Sequence, residues 1–354
     1  MNRLLGSGVL LSALVLAGCS TPTPPPITAT ESQAVPAPLA TGLEAPWSMA
    51  YAQGSLLVSE RDSGRIVEVS ESGELRELAR LDDLVATGEG GLLGLAFLAP
   101  DQLFAYSTDE SGNRIQRFTL QGSAGNLSLS APRTLIDGLP SASIHNGGRL
   151  AIGPDGMLYA TVGDAGNPRQ AQDLQQLGGK ILRMAPDGSV PGDNPCENSH
   201  VYSYGHRNAQ GLAWSDDGTM YASEFGQNNF DELNIIEAGG NYGWPEAEGK
   251  SGGNPSYIDP IAQWSPSEAS PSGIAILDGT LYLANLRGEV LRAVELEKPA
   301  TEHELLDGRL GRLRDVMVDP GGGLLVLTNN TDGRGQPATG DDRIVRIAPG
   351  QAGS

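Results

Sequence analysis

A histidine stands in a glycine-flanked loop, HNGG at residues 145–148, directly before an apolar run with the pattern of a β-strand. A second apolar run ends close to Asp164. If the two runs pair as a hairpin around the PDG at residues 154–156, their far ends meet and Asp164 lies near His145. A carboxylate in that place orients an imidazole and raises its basicity, as a general base requires. A purely structural histidine is the alternative.

The segment YGHRNAQG at residues 204–211 occupies the same place before the next apolar hairpin, and it contributes Arg207 and Asn208. A guanidinium and an amide directed at one point stabilise negative charge on a carbonyl oxygen. We therefore expect both side chains to stand beside His145. A salt bridge between neighbouring structural units is the alternative role for the arginine.

Further arginines lie near the last two hairpins. Arg309, Arg312 and Arg314 in GRLGRLRDV precede the last hairpin, and Arg287 in ANLRGE follows the hairpin before it. The chain as a whole is acidic, with 23 Lys and Arg against 43 Asp and Glu and a formal net charge of −20. Positive charge gathered on one face of such a protein favours an anionic small ligand. The overall charge argues against nucleic acid as a partner. Ion pairs with nearby carboxylates are the alternative use of these arginines.

Oxygen donors are dense between residues 223 and 245, in SEFGQNNFDELNIIEAGGNYGWP. Hard cations such as calcium prefer carboxylate and carbonyl oxygens. The spacing is not that of an EF-hand, so it permits calcium without specifying it. No pairing of His or Cys indicates zinc or copper. The donors are Glu224, Asn228, Asn229, Asp231, Glu232 and the carbonyls around Gly226 and Tyr242.

Six similar units follow one another, about 40 to 60 residues apart. Each contains an apolar strand, a tight turn that usually holds glycine, a second apolar strand, a loop of variable length and a third strand. Units too small to be stable alone indicate a repeat architecture, and six all-β units predict a six-bladed β-propeller. A β-sandwich or two smaller β domains is the alternative. The units start near Ser48, Gly94, Arg149, Gly211, Gly273 and Asp315.

The N-terminal region predicts export. Residues 1–18 have the basic start and apolar run of a signal peptide, and residues 16–19 (LAGC) resemble the lipobox of bacterial lipoproteins. That resemblance implies a lipid on Cys19 and, because Ser20 follows, an anchor on the periplasmic side of the outer membrane. A secretory signal with a chance cysteine is the alternative. Residues 19–40, rich in Pro, Thr and Ser, predict a tether, and residues 41–350 the propeller.

Cys196 is the one other cysteine in the chain, so a lipidated Cys19 excludes an intramolecular disulfide. The context of Cys196, GDNPCEN, holds no basic neighbour in sequence that would activate the thiol. We therefore expect Cys196 to be structural.

Taken together, these motifs resemble the soluble sugar dehydrogenases that depend on pyrroloquinoline quinone (PQQ), the glucose/sorbosone dehydrogenase family. The similarity covers nearly the whole propeller region. It is carried by GLEAPWSMA (42–50), GEGGLLGLAF (88–97), HNGGRLAIGPDGMLYATVGD (145–164), GGKILRMAPDGSVPGDNP (178–195), YGHRNAQGLAW (204–214), DELNIIEAGGNYGWP (231–245) and GRLRDV (311–316).

The resemblance implies a role for each matched residue. His145 matches the base that takes the proton of the anomeric hydroxyl while hydride passes to C5 of the quinone, and Asp164 matches the acid that orients it. Arg207 and Asn208 match the pair that polarises the C5 carbonyl. Gly226 and Gln227 match residues whose carbonyls hold calcium beside PQQ, and Arg312 and Arg314 match residues that bind the carboxylates of PQQ. Trp264 matches an aromatic residue at the edge of the pocket. Glu232 and Tyr242 match ligands of a second, structural calcium.

Some positions depart from the family pattern. Glu89 occupies a position where relatives commonly have a Gln beside the cofactor, and Ile144 stands where glucose-oxidising relatives have Asp. Arg287 or Leu286 occupies the region of a cofactor-binding lysine. Because a polar sugar contact is lost at Ile144 and long insertions are missing, the resemblance favours the shorter aldose dehydrogenases of broad specificity.

The sequence thus predicts an enzyme that oxidises aldoses to lactones with PQQ and calcium, and passes the electrons to an external acceptor. Two other functions compete with it. A calcium-dependent lactonase propeller needs Asp, Glu and Asn side chains that converge on the central channel, and a non-catalytic propeller needs only a binding face.

Overall fold

The computed structural model describes Met1 and residues 36–348. In that range the regular secondary structure is β-strand, apart from one short 3₁₀ helix at Pro168–Gln172. The strands, numbered in chain order, are β1 (Pro38–Thr41), β2 (Pro46–Ala52), β3 (Ser55–Glu60), β4 (Arg65–Val69), β5 (Leu75–Arg80), β6 (Leu92–Leu98), β7 (Gln102–Asp109), β8 (Gly112–Gln121), β9 (Ser128–Leu129), β10 (Arg133–Leu139), β11 (Leu150–Ile152), β12 (Leu158–Val162), β13 (Lys180–Met184), β14 (Val201–Tyr204), β15 (Ala209–Trp214), β16 (Met220–Glu224), β17 (Asp231–Ile236), β18 (Ala262–Trp264), β19 (Pro271–Leu277), β20 (Thr280–Asn285), β21 (Leu291–Glu295), β22 (Glu302–Leu305), β23 (Leu313–Val318), β24 (Leu324–Thr328) and β25 (Arg343–Ile347).

Six antiparallel sheets form the blades, which confirms the predicted six-bladed β-propeller. Blade 1 contains β2 to β5, and blade 2 contains β6, β7, β8 and β10 with β9 beside β8. Blades 3, 4 and 5 contain β11 to β14, β15 to β18 and β19 to β22. Blade 6 contains β23, β24 and β25, and β1 is its outermost strand.

The ring closes through β1, which comes from the start of the described chain and pairs with β25 near its end, with Thr41 opposite Arg343. The predicted boundary between tether and propeller at residues 40 and 41 was therefore too late, because residues 38–40 already belong to blade 6. A short strand of ordinary composition suffices there, since the neighbouring blade supplies its backbone partners and buries Ala40. Apart from Met1, the predicted signal peptide and the tether up to residue 35 lie outside the described residues.

The core lies between adjacent blades and is built from the apolar inner strands. Phe104 and Tyr106 of β7 pack with Leu158 of β12, and all three side chains are fully buried. Burial of this apolar surface is the main stabilising contribution. Within residues 36–348, no helix is both long and apolar enough to cross a membrane.

The innermost strands carry β-bulges close to their first residues. Trp47 of β2, Gln210 of β15 and Arg314 of β23 each fall between two paired residues where the register shifts. A bulge adds an unpaired residue and re-aims its side chain. All three side chains line one cavity at the centre of the ring.

Candidate active site

A cavity of about 510 Å³ lies where the inner strands begin and the loops of several blades converge. Its lining is polar and rich in arginine. The lining residues are Trp47, Arg61, Glu89, His145, Arg207, Asn208, Gln210, Phe225, Gly226, Gln227, Asp231, Pro266, Ser270, Leu286, Arg287, Glu289, Arg312, Arg314 and Arg334.

His145 and Asp164 form a hydrogen-bonded pair at the wall of this cavity. Nδ1 of His145 lies 2.7 Å from Oδ1 of Asp164. The same carboxylate accepts hydrogen bonds from the backbone N–H of Gly166 and the indole N–H of Trp244. Burial alone would raise the pKa of Asp164, but these donors outweigh burial and lower it. The ionised carboxylate fixes the proton of His145 on Nδ1, so Nε2 is left to accept a proton.

Backbone geometry holds the imidazole in this position. His145 has a φ of +56°, in the left-handed region that few side chains adopt. Its carbonyl approaches Gly163 so closely that a Cβ on Gly163 would lie 2.0 Å from the oxygen. Its backbone N–H donates to Oε2 of Glu89 at 2.8 Å. Strain of this kind persists where the surrounding structure over-determines it.

Arg207 and Asn208 reach the cavity from the start of blade 4 because a buried carboxylate holds their backbone. Oε1 of Glu224 accepts the N–H groups of both residues. Oδ1 of Asn208 accepts the N–H of Gly147 at 3.0 Å, so the amide nitrogen remains available as a donor. This links blade 4 directly to the loop that carries His145.

The guanidinium of Arg207 is largely buried and lies over the ring of Trp244, 5.6 Å from its centroid. Nη1 donates to the carbonyl of Phe225, and Nε has no partner among the described residues. Burial lowers the pKa of Arg207. Because no carboxylate forms an ion pair with it in the described chain, this cation is suited to an anionic or polarised ligand atom.

Six arginines line the cavity, at positions 61, 207, 287, 312, 314 and 334. Arg314 is the most constrained: its guanidinium binds Gln210, Ser272 and Asn329, all of them neutral. Burial is the main cause that lowers its pKa to about 9; the charge of Asp332 opposes this effect, and the charges of neighbouring arginines add to it. The charge of Arg312, in contrast, is balanced by a carboxylate, since Arg312 forms an ion pair with Asp332 at 3.1 Å.

In the loop after β16, the backbone carbonyls of Gly226 and Gln227 point away from the side chain of Glu248. The backbone N–H groups of Gln227, Asn228 and Asn229 all donate to Oε1 of Glu248. With these N–H groups directed at one carboxylate, the carbonyls of Gly226 and Gln227 accept no hydrogen bond from the described residues. Both residues line the cavity. Free carbonyls of this kind are ligands that calcium accepts.

A second polar pocket of about 10 Å³ lies behind that loop and is lined by Glu224, Glu232, Glu248 and Tyr242, among others. Burial, together with the nearby charge of Glu224, raises the pKa of Glu232 to about 8. The hydroxyl of Tyr242 donates to the carbonyl of Ile235, so only the backbone of this tyrosine is free to coordinate an ion. No group of three or more His, Cys, Asp and Glu side chains in the described chain is arranged to hold a metal.

Three of the predicted residues stand elsewhere. Trp264 does not line the cavity; its indole N–H donates to Glu302 at 2.8 Å, and its ring packs under Arg292 between blades 4 and 5. It lies on the outermost strand of blade 4, where it pairs with Asp231 of β17, a residue that does line the cavity. Asp164 is buried behind His145 and reaches the cavity only through it. Arg309, which the sequence grouped with Arg312 and Arg314, does not line the cavity either. The other predicted cofactor-binding residues, including Glu89 and Arg287, line it.

Sequence reasoning missed Trp47, Arg61, Gln210 and Arg334 as cavity residues. The guanidinium groups of Arg149 and Arg314 both lie over the ring of Trp47, at 4.6 and 5.6 Å from its centroid. A tryptophan next to a proline at the start of an inner strand was the available signal. Arg61 and Arg334 lie in ordinary loops, and nothing in their local sequence distinguishes them.

Comparison with known proteins agrees with this architecture. The profile of the glucose/sorbosone dehydrogenase family matches residues 43–344. Quinoprotein glucose dehydrogenase B of Acinetobacter calcoaceticus is 40% identical over 54% of this chain, a match that spans 48% of that relative's length. Aldose sugar dehydrogenase YliI of Escherichia coli is 31% identical over 82% of this chain and 89% of its own.

The solved structures include a PQQ-bound aldose sugar dehydrogenase from Streptomyces coelicolor, which is 50% identical to this chain. It superposes with a TM-score of 0.83 and covers 88% of this chain and 96% of its own. A profile match over most of the chain and a relative of this identity and coverage settle the family. The chain belongs to the glucose/sorbosone dehydrogenase family.

Proposed function

We propose that this protein oxidises aldose sugars at the anomeric carbon to lactones, with PQQ as cofactor, and passes the electrons to an external acceptor. One observation supports this above all others: the His145–Asp164 pair, Arg207 and Asn208 come from two adjacent blades and meet at one cavity. A proton acceptor and two hydrogen-bond donors at one site are what alcohol oxidation by hydride removal requires.

The cavity fits a flat, anionic cofactor. Its volume of about 510 Å³ lies in the usual range for small-molecule sites. Arg314 has only neutral partners, and Nε of both Arg207 and Arg312 lacks a partner in the described chain. Buried donors left without acceptors cost free energy unless a ligand supplies the acceptors. The three carboxylates of PQQ would do so, and Arg312 and Arg314 would hold them.

When bound, PQQ supplies an electrophilic carbonyl carbon, C5, that accepts the hydride of the anomeric carbon. The residues of the chain prepare this step. Asp164 keeps the imidazole oriented with Nε2 unprotonated, and His145 takes the proton of the anomeric hydroxyl at that atom. Arg207 and Asn208 donate hydrogen bonds to the carbonyl oxygen and stabilise the negative charge that develops there.

Calcium fits two places, and we propose it at both. Beside the large cavity, the free carbonyls of Gly226 and Gln227 would contribute two ligands. In the small pocket, Glu232 would bind an ion together with the carbonyl of Tyr242. Two buried carboxylates, Glu224 and Glu232, lie close enough there to raise the pKa of Glu232, and a cation would relieve their repulsion.

The cellular setting is part of the proposal. The signal peptide at residues 1–18 and the lipid on Cys19 would place the enzyme on the periplasmic side of the outer membrane, with the tether separating it from the lipid. Globomycin treatment of producing cells, which blocks cleavage of lipoprotein signals, should leave a longer precursor. Unchanged processing would favour an ordinary secretory signal.

The function is tested by adding PQQ and calcium to the apoprotein and following the reduction of a redox dye with a panel of aldoses. Sugar-dependent reduction that requires both additions supports the proposal. Hydrolysis of a sugar lactone without PQQ would instead indicate the lactonase alternative. If neither reaction occurs and PQQ does not bind, a non-catalytic binding propeller remains.

A further inference from the structure

Lys180 is a buried cation outside the cavity that the proposed mechanism does not use. It is the first residue of β13 in blade 3, and its side chain is completely buried. Within the described chain it forms no ion pair with a carboxylate. Burial lowers its pKa to about 8, and the charges of Asp173 and Cys196 partly oppose this effect. A buried charge without an ion partner is costly, so its surroundings must compensate for it.

The ammonium group is held by three backbone carbonyls. Nζ donates to the carbonyl of Gln170 at 2.6 Å, of Ala171 at 3.1 Å and of Gly178 at 2.7 Å. These bonds use all three protons of the group. All three acceptors belong to the loop at residues 163–179. Lys180 therefore binds both the 3₁₀ helix of that loop and its last residues to β13, the strand that follows.

That loop begins with the partner of His145. Asp164 is its second residue, and Gly163 bonds to Gly179, the residue before Lys180, so the loop closes at its base. The carbonyl of Ala171, which Lys180 binds, also accepts the N–H of Gly205 at 2.9 Å. One of the three carbonyls that bind the ammonium of Lys180 is therefore hydrogen-bonded to the segment that leads into Arg207.

Trp244 completes the connection. Its backbone N–H donates to the carbonyl of Gly205, and its own carbonyl accepts the side-chain amide of Gln172, the residue next to Ala171. Its indole N–H donates to Oδ2 of Asp164 at 2.9 Å. The loop held by Lys180 thus fixes the tryptophan, and the tryptophan fixes the carboxylate that orients His145.

We propose that Lys180 is a positioning residue: its ammonium clamps the loop at residues 163–179 and thereby keeps Asp164 aligned with Nδ1 of His145. The role requires a cation with three donors, because removal of the ammonium leaves the buried carbonyl of Gly178 without a partner and takes one of two donors from the carbonyls of Gln170 and Ala171. The geometric part of this proposal concerns the apoprotein. Only its kinetic consequence rests on the proposed function.

The test compares Lys180→Met, which keeps length and apolar character, with Lys298→Ala, an exposed lysine elsewhere. In the wild-type apoprotein, the Nδ1–H proton of His145 in its bond to Asp164 should give a far-downfield proton NMR signal, identified by its loss in His145→Ala. We expect this signal to vanish in folded Lys180→Met and to persist in Lys298→Ala. In the reconstituted enzyme, kcat should fall at least about tenfold, with little change in the affinity for PQQ.

A second variant tests the proposal if Lys180→Met does not fold. Lys180→Ala lacks the atoms of n-propylammonium, so that ion added during refolding should restore the downfield signal, whereas n-propanol should not. Retention of the signal in folded Lys180→Met would overturn the proposal. So would failure of both variants to fold even with n-propylammonium, because Lys180 would then serve stability alone. Absence of sugar oxidation in the wild type, with the signal lost in Lys180→Met, would refute the proposed function and leave this inference standing.

Discussion

Glu89 and Arg334 form an ion pair at the cavity, with 3.0 Å between Oε1 and Nη1, that joins the segment before blade 2 to a loop of blade 6. The other carboxylate oxygen of Glu89 accepts the backbone N–H of His145. The extra negative charge that the sequence indicated beside the cofactor site is therefore balanced by a cation from the opposite end of the chain. The same pair also braces the strained backbone of His145.

Arg334→Gln should weaken PQQ binding. The substitution leaves the carboxylate of Glu89 unbalanced at a site for a tricarboxylate, and one such charge changes affinity by roughly 5- to 10-fold at low salt. Fluorescence titration of the apoprotein with PQQ at low and high ionic strength measures the effect, which should shrink as salt screens the charges.

Glu89→Gln is the complementary change, and it should leave PQQ binding unchanged or tighter. A glutamine oxygen can still accept the N–H of His145, while Arg334 becomes available to the cofactor. The double variant should bind PQQ nearly as well as the wild type. Equal weakening by both single variants would show that the pair acts as a structural brace and has no electrostatic effect on the ligand.

Asp164→Asn should reduce kcat by about 10²- to 10⁴-fold, the usual contribution of a positioned acid–base pair. Three donors converge on this carboxylate, from His145, Gly166 and Trp244. An amide offers one acceptor oxygen and one donor nitrogen, so at least one of the three donors faces another donor. Dye-reduction kinetics at saturating aldose measure the loss, and Asp216→Asn on an exposed turn is the matched control. Undiminished kcat would remove Asp164 from the mechanism.

His145→Ala should abolish turnover and leave PQQ binding largely intact, because the imidazole carries a proton while the arginines hold the cofactor. Steady-state kinetics and a PQQ titration of the same preparation separate the two effects. Parallel loss of binding and rate would assign His145 to the scaffold.

Much of the ring was predictable because each inner hairpin has a strong apolar pattern. The outermost strand of each blade was not. In β5 (LRELAR) the side chains are at most half-buried, so the strand has no apolar run by which to recognise it. The closing strand β1 lies in a Pro- and Ala-rich segment, and its pairing with β25 depends on contacts about 300 residues apart.

The site was predictable where function requires particular residue types next to glycine, as at His145 and Arg207. Trp47 and Gln210 could not be predicted from strand alternation, because β-bulges turn them toward the cavity. The resemblance predicted Trp264 at the edge of the cavity, but an aromatic side chain is equally suited to packing between blades, and the sequence does not distinguish the two roles. Arg334 and Lys180 act through partners that only the fold brings near.

Calcium-free protein should lose stability as the pH rises from about 4.5 to about 8, because of Glu232. Burial and the charge of Glu224 raise the pKa of Glu232 from 4.5 to about 8. Above the lower value the unfolded chain releases its proton while the folded chain retains it, so unfolding becomes more favourable with pH until the folded group also ionises. Calcium binds the ionised form and should remove the decline.

Thermal midpoints between pH 5 and 8, with calcium or with a chelator, test this prediction. Glu232→Gln should flatten the decline in chelator, because a neutral amide no longer titrates, and should abolish stabilisation by calcium. Glu297→Gln, at an exposed position, should behave as the wild type does. An unchanged decline in Glu232→Gln would mean that another group controls the pH dependence.

Gly226→Ala should weaken calcium binding beside the cavity and with it the formation of active enzyme. A Cβ at this position would lie 1.8 Å from the carbonyl oxygen of Phe230, a backbone atom that cannot move without shifting the loop. The shift would break the alignment of N–H groups on Glu248 that turns the carbonyls of Gly226 and Gln227 outward. Calorimetric titration of the apoprotein with calcium in the presence of PQQ measures the loss. Gly192→Ala is the control, since a Cβ there meets nothing within 4 Å; similar calcium affinity in both variants would place the ion elsewhere.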